Sequence, residues 1–321
     1  MFMRIFFTFV TVLALHGSGA AALFIQDVVD DVSYDSYRAY LGYPGDGGNP
    51  LFTHAADLDR RWSENHDLAR THIVNHFSGL GLSTSLEPFT YSGSIYNNVV
   101  AVLPGTTSPN DILIIGAHYD SVGYPGADDN ASGVAGIMEA ARVLSKYSFQ
   151  STIRFIAFDR EEQGLYGSAA YATAANNRDD NILGMVSLDM IAYNTGGANM
   201  ADIYGRSSSD LLKFALAEAL QTYGGLSTQI NGQFDASDHA PFEWNGFQAA
   251  LLIENAENPY YHTSSDNVDT PSYLDYTYAT QMTKGAVGYM AGAAGLVPEP
   301  STCGLILVGA VLLLRVRLRR R

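Results

Sequence analysis

Apolar and polar positions along the chain follow two alternating rhythms. Short continuous apolar runs, bounded by turn residues, occupy Ile112–Gly116, Thr152–Phe158, Gly184–Asp189 and Ala249–Ile253. Runs of that length without polar alternation predict strands buried on both faces. Two further strands are expected around Ser85–Phe89 and Asn98–Leu103, closed by Pro104-Gly105. Between the strands the apolar spacing becomes helical. Leu58, Trp62, Leu68, Ile73 and Phe77 form one side of a helix over His54–Phe77, stopped by Gly79 and Gly81. Val134, Ile137, Met138, Ala141 and Leu144 form one side of another. A loop and helix are expected over Gln163–Ala175, a capped helix over Ser208–Tyr223, a short helix opened by Ser237-Asp238-His239, and a closing helix over Ser272–Gly295. The Tyr-, Asp- and Gly-rich stretch Leu23–Thr53 is expected to be an irregular arm. Strands alternating with helices predict an α/β fold: a three-layer α/β/α sandwich with a mostly parallel mixed central sheet, forming a single domain.

Ionisable residues cluster where these apolar runs end. His118, Asp120, Asp128 and Asp129 follow the first run, Glu161 and Glu162 follow the second, and Asp189 ends the third. His262 lies in the later segment Asn258-Pro-Tyr-Tyr-His-Thr-Ser-Ser-Asp266. Open α/β sheets hold their ligands at the carboxyl ends of the strands, so groups far apart in sequence can converge there. An unpaired buried charge costs roughly several kcal/mol, so acids placed directly after core strands need a partner. Imidazoles and carboxylates are ligands for first-row metals. Two histidines and three carboxylates, one of them bridging, would suit a pair of divalent ions, and a glutamate beside a ligand glutamate could act as general base.

Composition narrows the choice. The chain has 321 residues, 47% hydrophobic and 16% charged, enough for a substantial core. Met1–Ala22 combines Arg4, the apolar run Ile5–Leu15 and small residues, the layout of a secretory signal peptide. Val297-Pro298-Glu299-Pro300 precedes the apolar run Cys303–Leu314 and five arginines. The apolar run is short for a spanning helix, although arginine can snorkel at its end. Six of the 18 Lys+Arg and none of the 33 Asp+Glu lie in residues 1–22 and 301–321, so residues 23–300 carry 12 against 33, a net charge of −21. That charge disfavours binding to nucleic acid. The single cysteine, Cys303, lies in the tail, so any metal in the body must be held by His, Asp and Glu.

The ordered motifs H-x-D, G-A-D-D-N-A-S-G, E-E-x-G-x-x-G-S, L-D-M and H-T-x-x-D resemble the di-zinc aminopeptidase family, which includes bacterial secreted aminopeptidases and glutamate carboxypeptidases. The likeness spans nearly all of residues 54–295. It implies a three-layer α/β exopeptidase with two zinc ions. Carried over by position, His118 and Asp189 would hold one zinc, Glu162 and His262 the other, and Asp129 would bridge them. Asp129 is placed as the bridge by counting back from Ser132-Gly133, which leaves Asp128 as a neighbouring hydrogen-bond acceptor. The resemblance makes Asp120 the carboxylate that orients the zinc histidine. It makes Glu161 the general base, taking a proton from the attacking water and passing it to the leaving amine. Phe234 stands where some relatives carry an oxyanion-binding tyrosine, and Tyr261 matches the tyrosine that others place before the last zinc histidine, so Tyr261 is the expected oxyanion donor. His239 is not among the family's ligands. Met190, Phe234 and Phe242 are candidate walls of an apolar specificity pocket.

The C-terminal pattern resembles the PEP-CTERM sorting tail of bacteria. It implies export, processing by an exosortase-type machinery and a destination at the cell surface or in the extracellular matrix, with membrane contact only through the tail. The organisation expected is therefore a signal peptide at 1–22, a peptidase domain at 23–296 and a sorting tail at 297–321. The expected activity is release of apolar N-terminal residues from peptides. Other readings are a carboxypeptidase or dipeptidase of the same family and, in a different class, a non-catalytic surface scaffold. Lid-bearing metallocarboxypeptidases of a neighbouring family insert a separate domain between the fourth and fifth ligands, and the interval from Asp189 to His262 has no room for it. Glutaminyl cyclases lack the first histidine, which is present here as His118.

Overall fold

Four adjacent parallel strands form the centre of the molecule, and their carboxyl ends set the position of the ionisable clusters noted above, His262 apart. The computed structural model describes residues 24–44, 64–255 and 257–298. The strands are β1 (Ser83–Tyr91), β2 (Ser94–Leu103), β3 (Ser108–His118), the short β4 (Ser148–Phe149), β5 (Ser151–Phe158), β6 (Asn181–Leu188), β7 (Met200–Tyr204), β8 (Ser227–Ile230), β9 (Ala249–Glu254) and the short β10 (Leu296–Val297). Eight of them form one sheet in the order β1-β2-β5-β3-β6-β9-β7-β8. The central β5, β3, β6 and β9 run parallel. The β1–β2 hairpin joins β5 antiparallel, and β7 joins β9 antiparallel, so the sheet is mixed about a parallel core.

The continuous apolar runs are explained by burial on both faces. In β3, Leu113, Ile115 and Ala117 enter the larger core, while Ile112 and Ile114 enter a smaller one on the opposite face. β5 divides in the same way, with Ile153 and Phe155 on one side and Ile156 and Phe158 on the other. The larger core is covered by helices α2 (Tyr34–Leu41), α3 (Glu64–Gly79), α4 (Gly133–Leu144), α6 (Asp210–Ala219) and α8 (Tyr276–Ala293), preceded by the helix α1 at residues 24–30. The smaller core is covered by α5 (Tyr166–Asn177) and α7 (His239–Trp244). Three layers result, as the alternating pattern predicts.

The N-terminal arm departs from expectation. Residues 24–30 and Tyr34–Leu41 are helical, and Val28, Val29, Tyr37 and Leu41 are buried in the larger core. Tertiary contacts outweigh the arm's turn-rich composition. Ser33 caps α2 through Ser36 N–H, its own N–H donates to the buried Glu139, and the Tyr37 hydroxyl donates to the Ser132 carbonyl. β7 and β8 were not expected either: both are short and lie toward one edge of the sheet. The closing helix starts at Tyr276, where Asp275 accepts from Thr277 N–H and Tyr278 N–H. The signal-peptide pattern, residues 54–63 of the expected first helix and the tail from Glu299 onward lie outside the described residues. Among the described residues no helix is long and apolar enough to cross a membrane.

Candidate metal centre

β5, β3 and β6 are neighbours and parallel, so their carboxyl ends lie side by side. His118 is the last residue of β3, Glu161 and Glu162 follow β5 within one turn, and Asp189 directly follows β6. Asp129 comes from the irregular turn Ala127–Ser132 that leads into α4. Its backbone (φ −102°, ψ 88°) is not helical, and the Asp129–Asn130 peptide is cis. The Asn130 amide Nδ2–H donates to the Leu188 carbonyl, and its oxygen accepts from Gly133 N–H and Met190 N–H. This side chain ties the turn to the end of β6. Gly133 is required here because a Cβ would collide with Asn130 and with the Leu188 carbonyl.

Five predicted ligands converge. His118 Nε2 lies 3.3 Å from Asp129 Oδ1 and 3.4 Å from Asp189 Oδ1. His262 Nε2 lies 3.1 Å from Asp129 Oδ2 and 3.1 Å from Glu162 Oε2. Each set offers one ligand atom per residue, and within each set these atoms lie within 4.8 Å of one another. Asp129 belongs to both sets and turns one oxygen toward each. Glu161 stands beside them, with Oε2 3.9 Å from His118 Nε2.

Supporting groups orient this cluster. Asp120 Oδ1 lies 3.6 Å from His118 Nδ1, long for a hydrogen bond, and the closer acceptor is the Asp120 carbonyl at 3.2 Å. The Asp120 carboxylate instead accepts from Glu161 N–H and Glu162 N–H, which fixes the Glu-Glu turn. Gly164, at φ 120°, lets that turn fold back toward α5 in a backbone region other residues avoid. Two supports were not read from the sequence. The Ser237 hydroxyl donates to Asp189 Oδ2 at 2.7 Å, and the Asp266 carboxylate accepts from Asp128 N–H and Asp129 N–H. Both residues sit within recognised motifs, Ser-Asp-His and H-T-x-x-D, so the signal was present but its target was not.

Other residues separate as follows. Asp128, expected to be a hydrogen-bond acceptor, takes Ala192 N–H and Asn258 Nδ2–H and lies outside the ligand sets. His239 is fully buried and belongs to neither set, and burial holds its imidazole down at about 4. Met190 and Phe234 line a cavity of about 380 Å³ that also contains His118, Asp129, Glu161, Glu162, Asp189 and Tyr261. Phe242 does not line it. It packs between Phe158 and Tyr171 in the smaller core, because α7 turns that position toward the sheet. Tyr261 is half exposed and stacks on His262 with ring centroids 3.7 Å apart.

The electrostatics favour a cation. Burial, and then the charges of Asp189, Asp238 and Glu162, push the Glu161 carboxyl well above its ordinary range despite His118. Burial, and then Asp129, push Glu162 up to about 9. Burial would depress His118, but Glu161 and Asp189 outweigh it and hold the imidazole well above its usual value. Burial would likewise raise Asp129, but bonds from His118 and His262 draw it well below the carboxylate range. Glu162 Oε1 is buried without a hydrogen-bond partner. Protein groups alone thus leave a buried oxygen unsatisfied and hold buried carboxyls toward neutrality, and divalent ions would correct both. Imidazole and carboxylate donors without thiolate fit zinc.

Comparison with known proteins points to a family. The model for "Peptidase family M28" matches residues 98–288. Leucine aminopeptidase 1 of Arthroderma gypseum is 31% identical over 222 residues, covering 62% of this chain and 58% of that protein. The chain thus spans somewhat over half the length of the curated relatives it matches. Among solved structures, the LapA aminopeptidase of Legionella pneumophila superposes with a TM-score of 0.72 at 24% identity, over 85% of this chain and 75% of that one. A zinc aminopeptidase from Bacillus subtilis superposes with a TM-score of 0.58 at 27% identity, over 64% of this chain and 52% of that one. The strand-end clusters, their order along the chain and the span of the family match lead to one conclusion: this chain belongs to peptidase family M28.

Proposed function

We propose that the chain is an exopeptidase that uses two zinc ions to release N-terminal residues from peptides. One observation carries the reading: the two oxygens of Asp129 face two separate histidine–carboxylate pairs, with Glu161 beside them. His118 and Asp189 would hold one ion, Glu162 and His262 the other, and Asp129 both. When bound, such ions polarise the scissile carbonyl and make a water acidic enough to attack it at neutral pH. Glu161 takes the water's proton and delivers it to the leaving nitrogen, a role suited to a carboxyl whose pKa its surroundings raise. Tyr261, at the cavity wall, donates its hydroxyl to the oxyanion. Asp120 positions Glu161 through the backbone, and Ser237 holds Asp189 in place.

Charge supports an aminopeptidase over a carboxypeptidase. No lysine or arginine is among the described residues lining the cavity, so none is there to pair a terminal carboxylate, while Glu161, Glu254 and Glu257 lie on its wall outside the ligand sets as acceptors for a terminal ammonium. The leader-like Met1–Ala22 and the tail-like pattern from Val297 further support export and retention at the cell surface, which fractionation followed by blotting would test. The decisive assay is hydrolysis of aminoacyl-nitroanilides with chelator and after zinc is restored. Chelator-sensitive release, recovered by zinc, is expected. Absence of release from every substrate would reject the enzyme, leaving a surface scaffold.

A further inference from the structure

Beside the candidate metal centre the cavity continues into a second one of about 370 Å³, and the two share Phe234, Ile253, Glu254 and Glu257. Met190 and Leu251 line only the first cavity, and Phe234 and Ile253 carry that apolar lining across the shared wall. Asp202, Tyr204 and Asn255 line only the second, which is more polar. Its acids are not equivalent. Glu254 is buried and its oxygens accept from Tyr193 N–H and Asn258 Nδ2–H, while Asp202 accepts from Asn255. Glu257 is exposed, and among the described residues its carboxylate has no hydrogen-bond or ion-pair partner. No lysine or arginine is among the described residues lining either cavity.

An apolar corridor with an exposed carboxylate on its shared wall, unpartnered among the described residues, complements one kind of side chain. Lysine and arginine lay their methylene stems along apolar surface and keep their charged heads in water. Leucine would use the corridor and leave the carboxylate without a partner. We propose that this cavity receives the side chain of the substrate's first residue and that Glu257 selects long basic residues, lysine and arginine, over leucine. The assignment rests on the aminopeptidase reading and replaces its expected apolar preference with a basic one.

The test is kcat/KM for lysyl-, arginyl-, leucyl- and methionyl-nitroanilide with the zinc-loaded full chain and with Glu257→Gln and Glu257→Lys. The native protein should favour the basic substrates, and its KM for lysyl-nitroanilide should rise with salt. In Glu257→Gln the lysine-to-leucine ratio should fall about fivefold, the loss expected for a solvent-exposed ion pair. It should fall further in Glu257→Lys. A native preference for leucine with a lysine KM indifferent to salt overturns the proposal even if a variant fails to fold. An unchanged ratio in both variants also overturns it. So does an equal loss on all four substrates, which would make Glu257 a partner of the terminal ammonium instead. Hydrolysis of no substrate is a different failure: it rejects the aminopeptidase reading itself, and the pocket's role with it.

Discussion

His118 reaches the candidate metal centre from the last residue of a central strand, and its side chain is 1% exposed. His262 reaches it from a loop with its side chain 37% exposed, at φ 55°, stacked under Tyr261. The His118 half is completed by Asp189, which is fixed by its own place after β6 and by the Ser237 hydroxyl. The His262 half is completed by Glu162, whose second oxygen is unsatisfied. One half is thus set by the sheet and the other by loops joined to it through Asp129. Rigid elements hold ligands more precisely than loops do. The sheet-borne half should therefore bind its ion more tightly, and the loop-borne half should exchange with solvent first.

The largest effect tests what the halves share. Glu161→Gln should lower kcat by roughly a hundredfold to ten-thousandfold, the usual worth of a general base. Zinc content, measured by atomic emission, should stay near two ions per chain. Loss of an ion would make Glu161 a ligand and redraw the boundary between the halves.

Next comes the difference in affinity. Titration with a chelator should remove zinc in two steps. His262→Ala should abolish the weaker step and His118→Ala the tighter one, each by more than about a hundredfold, since loss of outer contacts alone costs ten- to a hundredfold. The tighter step should also weaken as pH falls. Glu161 and Asp189 hold the His118 imidazolium above its usual range, so a metal must displace a proton there, and affinity rises with pH until that proton is gone. Release in a single step, equal in both variants, would show one cooperative centre rather than two unequal halves.

How much of this was legible in the sequence follows the same division. The sheet-borne half was readable because an apolar run predicts a strand, parallel strands end together, and ionisable residues placed after several of them can converge. His118 and Asp189 were placed that way, and so were Glu161 and, from the other half, Glu162, which follows β5 within one turn. Periodicity gave no signal for His262, and its membership and the choice of Asp129 over Asp128 came from motif order. The supports were hidden for a physical reason. Asp266 acts on the amides of Asp128 and Asp129, and Asn130 on the carbonyl of Leu188, so the sequence names neither partner. The helical arm was missed because Tyr37 and Val28 gain their burial from a core assembled more than ninety residues later, as the bond from Tyr37 to Ser132 shows. Local composition does not report such contacts.

On the loop-borne side, Tyr261→Phe removes a hydroxyl without disturbing the ring stacked on His262. Its kcat should fall by roughly tenfold to a thousandfold with little change in zinc content or KM, as for loss of an oxyanion donor. An unchanged kcat would leave this loop with a metal-binding role alone and no part in stabilising the reaction.

The smallest effect probes the sheet-borne half from behind. Ser237 donates to Asp189 Oδ2, leaving Oδ1 turned toward His118. Without that hydroxyl the carboxylate can rotate, and Oδ2 loses the donor that holds it. Ser237→Ala should therefore lower zinc affinity of the tighter step by about tenfold to a hundredfold and leave the weaker step in place. Competition against a fluorescent zinc chelator separates the two. If both steps weaken together, the bridge transmits the disturbance and Asp129 is held by the balance of both histidines. If neither moves, the strand end alone fixes Asp189, and the rigidity of the first half comes from the sheet without help from the segment that leads into α7.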